Sequence, residues 1–316
     1  MKPFAFVFPG QGSQSVGMLD AWGDHPAVAQ TLEEASSALG EDLGRLIKEC
    51  PKEALALTTN TQPVMLVAGV AAYRAWRAEG GAEPAAVAGH SLGEYAALVA
   101  AGALTLADAA PLVRFRAQAM QEAVPVGTGA MAAILGLDAQ KVIQGCAEAV
   151  RTFGPNSDEV VEAVNFNDPA QTVIAGSKAA VDKACELLKA SGAKRALPLP
   201  VSAPFHSSLM KPAAEKLRQR LAATAIQAPR IPVVNNIEVQ VETDPDRIRG
   251  ALYEQAFGPV RWVECVKAIQ ARGIDTIVEC GPGKVLAGLA KRIDGSLNAA
   301  SIYDPATLAE AKGMLA

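Results

Sequence analysis

The chain carries only three histidines in 316 residues, His25, His90 and His206, so any imidazole base must be one of them. Its five cysteines are Cys50, Cys146, Cys185, Cys265 and Cys280. They are odd in number, scattered and without a C-x-x-C pair, which argues against a disulfide framework and against a zinc site. No metal is expected, and a reducing cytoplasm fits. Aromatic residues are scarce at 5%. Long hydrophobic runs are missing too: the apolar stretch at 95–107 is too short for a bilayer and stops at Asp108. Residues 4–8 are too few for the apolar core of a secretory signal, and Pro9-Gly10 follow at once. A net charge of -4 gives no electrostatic footprint for nucleic acid.

What the chain does have is hydrophobic material. Half of its residues are apolar, ample for a buried core, and the length predicts one large domain with a smaller one, or two domains. The organising stretch is 87–101. An apolar run at 85–88 reads as a buried strand, and an Ala-rich helix opens at about Leu92. Between them, Gly89-His90-Ser91-Leu92-Gly93 matches the G-x-S-x-G nucleophile elbow. A strand that turns sharply into a helix strains its central residue, and glycines two before and two after remove side chains that would collide. Ser91 then stands exposed at the strand end, with the N–H groups of the next helix facing a developing oxyanion.

Before the elbow, residues 4–8 read as a strand that breaks into Pro9-Gly10-Gln11-Gly12-Ser13-Gln14, a loop without the lysine of a P-loop. A second oxyanion donor comes from such an early loop in elbow enzymes, which makes Gln11 the candidate. Helical patterns are predicted within 22–40, at 43–50, and from Pro63 to about Glu79, with Pro63 as an opening residue. After the elbow helix, Thr105 is a candidate cap for a helix reaching Glu122. From residue 129 the pattern reads strand, helix (capped at Asp138), strand, strand, helix (capped at Ser177), strand. This β-α-β-β-α-β order is the ferredoxin-like pattern. It predicts a small domain, 127–200, inserted between the two parts of a large one, 1–126 and 201–316. In the second part, strands at 231–235, 276–279 and 299–303 alternate with helices at 212–223, 246–256, 260–272, 284–292 and 306–315. Alternation on both sides of the insertion predicts an α/β large domain with a parallel sheet.

A serine nucleophile needs a base. His90 adjoins Ser91 and should point away from it, and His25 lies in an early turn-like segment. His206 lies in the loop that returns from the inserted segment, where an interdomain cleft is expected, and is the base by elimination. The acceptor that orients its ring is left open: no particular acid stands out, and a backbone carbonyl or a neutral amide would serve. Arg114 and Arg116 are two apart on one helix, so at most one faces the site, where it could bind a carboxylate through paired N–H bonds.

Four motifs together resemble the malonyl-CoA:acyl carrier protein transacylases, the stand-alone enzymes of dissociated fatty acid synthesis. They are F-P-G-Q-G-S-Q near the start, G-H-S-L-G-E-Y at 89–95, M-Q-E-A-V-P-x-G-x-G-A-M at 120–131 and G-P-G-K-V-L at 281–286. The resemblance covers nearly the whole chain in order. It implies a hydrolase-like α/β domain with an inserted ferredoxin-like domain. It implies that Ser91 takes malonyl from coenzyme A and passes it to the phosphopantetheine thiol of an acidic acyl carrier protein, with no further cofactor. By the same resemblance, His206 is the base, the N–H groups of Gln11 and Leu92 form the oxyanion hole, Arg116 holds the malonyl carboxylate, and Gln255 lies near the base. Phe205 stands where many stand-alone members have serine, and a ring there would crowd an α-methyl branch, so strict malonyl preference is expected. Lys211, Lys284, Lys291 and Arg292 are candidates for a basic carrier-docking rim. The rival readings are a serine thioesterase or esterase, a malonyl acyltransferase serving a polyketide carrier, and an inactive carrier-binding scaffold.

Overall fold

Four consecutive residues of the first strand, Ala5–Phe8, are buried, which requires cover on both of its faces. The computed structural model describes residues 2–201 and 203–316; Ser202, in the loop expected to carry the base, lies outside them. In chain order the strands are β1 (Ala5–Phe8), β2 (Ala86–Gly89), β3 (Gly129–Leu135), β4 (Val161–Asp168), β5 (Gln171–Ser177), β6 (Arg195–Pro198), β7 (Val233–Val234), β8 (Thr276–Cys280) and β9 (Asn298–Ile302). Helices ahead of the elbow are α1 (Pro26–Leu39), α2 (Leu43–Glu49), α3 (Lys52–Leu55) and α4 (Thr58–Ala78). After it come α5 (Gly93–Ala100), α6 (Leu106–Gln121), α7 (Ala139–Arg151), α8 (Lys178–Ala190) and α9 (Lys211–Ala222). The last four are α10 (Pro245–Gln255), α11 (Trp262–Gln270), α12 (Val285–Ile293) and α13 (Pro305–Leu315).

One sheet is parallel throughout, in the order β7-β2-β1-β8-β9. Side chains alternate across it. Phe4, Phe6 and Phe8 pack on the side of α4, with Phe6 edge-on to Tyr73 and Trp76. Ala5 and Val7 face the other side, where Trp262, Val266 and Leu286 of α11 and α12 cover them. Parallel strands with helices on both faces place a crevice at the strands' carboxyl ends.

The second sheet is antiparallel, in the order β4-β5-β3-β6, and its elements follow the order β-α-β-β-α-β. Ala132 and Ile134 of β3 turn towards α7 and α8. Met131 and Ala133 turn the other way, onto Met120, Phe205 and Met210. β4 also joins the larger body: Phe166 donates to the carbonyl of Val260 at 3.0 Å, and Val260 to that of Val164 at 2.8 Å.

The first helix lies within the expected 22–40, and the ring of His25 caps its start by accepting from the N–H of Ala27. Other expected boundaries move. α4 starts at Thr58, which puts Pro63 inside it. The polar turn at 58–62 is helical because its side chains find buried partners: Thr61 donates to the carbonyl of Leu55 at 2.6 Å, and Gln62 serves the site below. The strand expected at 231–235 shrinks to two residues at the sheet edge. Ser177 does not cap α8 through its hydroxyl, which instead accepts from Val160 N–H at 3.0 Å and donates to Glu159. No helix among the described residues is long and apolar enough to cross a membrane.

Candidate active site

At the carboxyl end of β2 the chain turns through Ser91 with φ 53°, a left-handed conformation that L residues adopt at a cost. The glycines around it are sterically required. A Cβ on Gly89 would lie 1.9 Å from the carbonyl carbon of Gly93, and one on Gly93 would lie 2.0 Å from the carbonyl oxygen of Phe8. The elbow is also pinned from outside: His90 N–H donates to Phe8 at 3.0 Å, and Ser91 N–H donates to Oδ1 of Asn236 at 2.7 Å.

Ser91 Oγ lies 2.7 Å from Nε2 of His206. Nδ1 of the same ring lies 2.8 Å from the backbone carbonyl of Gln255. A carbonyl can only accept, so Nδ1 carries the proton and Nε2 is left as the acceptor facing the serine. Burial, and then the nearby Arg116 guanidinium, push the imidazole down to about 3, so it is neutral at physiological pH. Of the acceptors that the sequence leaves open, the structure supplies a backbone carbonyl.

Arg116 comes from α6 and is 1% exposed. Nη1 donates to Gln62 at 2.6 Å, and Nη2 donates to Oε1 of Gln255 at 3.0 Å and to Ser91 Oγ at 3.2 Å. The guanidinium also lies over the Tyr95 ring. Among the described residues no carboxylate pairs with it, and its Nε has no partner. Burial lowers its pKa. Arg114 points elsewhere and pairs with Glu41.

The Gln255 side chain links these groups. Its Nε2 donates to the carbonyl of Ser91 at 3.0 Å and to Glu94 at 2.9 Å. Glu94 is buried, and desolvation raises its carboxyl to about 7. Gln11 and Leu92 line the cavity of about 110 Å³ in front of Ser91, and neither backbone N–H has a partner among the described residues. Gln11 is steadied by its side chain, which donates to the hydroxyl of Thr58 at 3.2 Å. Phe205 joins Met120, Met131, Leu199 and Val201 in an apolar wall. His90 borders the same cavity but bonds away from Ser91, to Oδ1 of Asn167 at 2.8 Å.

Of the expected basic rim, Lys211, Lys284 and Lys291 are exposed. Arg292 is committed to Asp168 of β4 at 2.7 Å. Sequence reading missed Gln62, Glu94 and Asn236. A signal existed for each: a polar turn leading an apolar helix, an acid in the first turn after the elbow, and paired asparagines at the carboxyl end of a parallel strand.

A left-handed serine on a strand-to-helix turn, with a neutral imidazole at hydrogen-bond distance, has the geometry of an α/β enzyme that transfers or hydrolyses acyl groups. The chain belongs to the acyl transferase domain family, which it matches over residues 5–303. It is 53% identical over 312 residues to the malonyl CoA-acyl carrier protein transacylase of Escherichia coli (strain K12), covering 98% of this chain and 99% of that one. The protein of the same name from Bacillus subtilis (strain 168) is 46% identical over 309 residues, with 98% and 96% covered. Among solved structures, the acyl-carrier-protein S-malonyltransferase of Burkholderia pseudomallei 1710b superposes with a TM-score of 0.95 at 65% identity, covering 99% of this chain and all of that one. A malonyl-transacylase solved in complex with a type II PKS acyl-carrier protein superposes with a TM-score of 0.95 at 48% identity, covering 99% and 100%.

Proposed function

We propose that this protein transfers the malonyl group of malonyl-CoA to the phosphopantetheine thiol of acyl carrier protein, for fatty acid chain elongation. The observation that carries this reading is Arg116: a buried guanidinium 3.2 Å from Ser91 Oγ, with no carboxylate partner among the described residues. An acyl group bearing its own carboxylate would complete it through paired charge-assisted hydrogen bonds.

His206 Nε2 takes the Ser91 proton as Oγ attacks the thioester carbonyl. The N–H groups of Gln11 and Leu92 hold the resulting oxyanion. The C–S bond then breaks, His206 returns the proton to sulfur, and free coenzyme A leaves malonyl-Ser91. The carrier thiol gives its proton to His206 and attacks the ester. Ser91 regains that proton as malonyl-carrier departs, so the cycle is ping-pong and balances without a further cofactor.

The parts divide the work. The parallel-sheet body, 1–126 and 201–316, is a hydrolase-like domain carrying nucleophile, base and selector. Residues 127–200 form a ferredoxin-like domain, a reading supported by its sheet order and by the β-α-β-β-α-β sequence of its elements. The exposed Lys211, Lys284 and Lys291 suit the rim where an acidic carrier docks. Five free thiols suit a reducing cytoplasm.

The test is the intact mass of the protein after brief exposure to malonyl-CoA or acetyl-CoA without carrier, beside Ser91→Ala. A malonyl adduct on the unmodified protein alone, stable in water and discharged by added carrier protein, supports the proposal. Malonate release without a lasting adduct would make the protein a hydrolase, and no adduct with no coenzyme A release would leave it a scaffold.

A further inference from the structure

Asn236 is fully buried and spans the elbow from outside. Its Oδ1 accepts from Ser91 N–H at 2.7 Å, while its Nδ2 donates to the carbonyl of Gly89 at 2.7 Å. One planar amide thus grips the chain on both sides of His90, just where Ser91 is left-handed. Its own backbone is fixed as well: its N–H donates to Glu94 at 2.9 Å and its carbonyl accepts from Arg261 at 3.2 Å.

The loop bearing Asn236 is tied to itself by hydrogen bonds. Asn235 N–H donates to the carbonyl of Gln240 at 3.0 Å, and Asn235 Oδ1 accepts from the N–H groups of Glu238 at 2.8 Å and Val239 at 3.1 Å. Val239 is itself left-handed, with φ 60°, an uncommon conformation for a β-branched residue. Strained residues persist only where their surroundings over-determine them, and they cluster at functional sites.

We infer that Asn236 is the positioning residue of the nucleophile: its paired hydrogen bonds hold the elbow in its strained form and keep Ser91 Oγ on His206. The inference rests on Ser91 being the nucleophile proposed above. Donor and acceptor must both be present, because Ser91 offers an N–H and Gly89 a carbonyl. The grip also consumes Ser91 N–H, leaving the next N–H along, that of Leu92, for the oxyanion.

Asn236→Asp tests this through pH. An ionised carboxylate still accepts from Ser91 but sets an oxygen against the Gly89 carbonyl. Once protonated, the same group donates to Gly89 and restores both bonds. Burial and the Glu94 carboxylate on α5 raise the pKa of the introduced acid; Arg116 on α6 opposes them, and the neighbouring Cys265 of α11 stays a neutral thiol because burial raises it too. The proton therefore returns in mildly acidic solution, where the neutral His206 still serves as base.

The readout is the malonylation rate of Asn236→Asp relative to the unmodified protein at each pH, with Asn236→Ser, which places no acid beside Glu94, run alongside at the same pH values. At about pH 8 the rate constant at saturating malonyl-CoA should fall about a hundredfold with KM nearly unchanged, as for a small misplacement of a reacting group. By about pH 5.5 the ratio should recover at least roughly tenfold as the acid protonates. Asn236→Ser, which makes neither bond, should be slow at both pH values. An Asn236→Asp ratio that does not change with pH, or Asn236→Ser turning over at the normal rate, overturns the inference. If Asn236→Asp does not fold, Asn236→Ser decides alone, by a lowered rate at unchanged KM. Absence of an adduct on the unmodified protein would instead sink the proposed function.

Discussion

His206 and Gln255 are joined through the backbone: the ring donates from Nδ1 to the Gln255 carbonyl at 2.8 Å, while the Gln255 side chain serves Arg116, Glu94 and Ser91 O. The two halves of one residue are therefore separable. In Gln255→Ala the carbonyl remains, so Ser91 should keep its reactivity towards a small fluorophosphonate within about threefold. The malonyl-CoA KM should rise about tenfold or more, because a hydrogen bond to a charged group is worth about 1.5–3 kcal/mol. Parallel loss of both activities would show that the side chain also orients the base.

Arg116→Ala should lower kcat/KM for malonyl-CoA by about tenfold to a hundredfold on the same scale. Acetyl-CoA, with no carboxylate to lose, should suffer less, so the ratio between the two donors falls. Arg116→Lys keeps the charge but not the planar fork and should recover only part of the ratio. An unchanged ratio in Arg116→Ala would remove the arginine from acyl selection.

Phe205 is 7% exposed and lies in the apolar wall of the cavity. Phe205→Ser opens room for an α-methyl branch. Methylmalonyl-CoA should then form an adduct at Ser91 at least about tenfold faster than on the unmodified protein, within the range one pocket methyl can discriminate. Intact mass reads this directly, and comparable use of methylmalonyl-CoA before substitution would show that the ring excludes nothing.

Glu279 is fully buried on β8, with Oε2 accepting from Ala287 N–H at 2.9 Å and Oε1 without a partner among the described residues. Desolvation raises its carboxyl from 4.5 to about 7. Its contribution to stability is fully present below about pH 4.5 and is lost as pH rises through about 7, because above that the native state must bury a charge. Glu279→Gln cannot ionise. Its melting temperature relative to the unmodified protein should rise between about pH 5 and pH 8, and a difference independent of pH would show that the acid is already ionised at the lower value.

Legibility in the sequence followed the range of the contacts involved. The elbow is local: two glycines, a serine and a strand-to-helix change sit within a few residues, and Gly89 and Gly93 turn out to be sterically obliged. The small sheet was readable because its turns and caps are also local, as at Asp138, whose side chain accepts from Lys141 N–H. His206 was reachable by counting imidazoles and through the family resemblance, not from any local pattern around it. Its partner was not, since every residue has a carbonyl and nothing in a side chain marks the one at Gln255. Glu94 and Asn236 lie 142 residues apart and meet only after the sheet has formed. Pro63 misled for a related reason: an opening proline is the rule, yet buried partners for Thr61 and Gln62 carry the helix back to Thr58.

The groups gathered around Ser91 are drawn from opposite ends of the gene product: Gln11 and Gln62 come early, His206 follows the antiparallel sheet, and Asn236 and Gln255 come later still. A chain emerging from the ribosome holds the proposed nucleophile long before it holds the proposed base, His206, or the carbonyl that aims its ring. No product that stops before residue 255 can carry the complete set. On the proposed mechanism a fragment that stops earlier lacks the carbonyl that aims the imidazole, so chemical competence arrives late in synthesis.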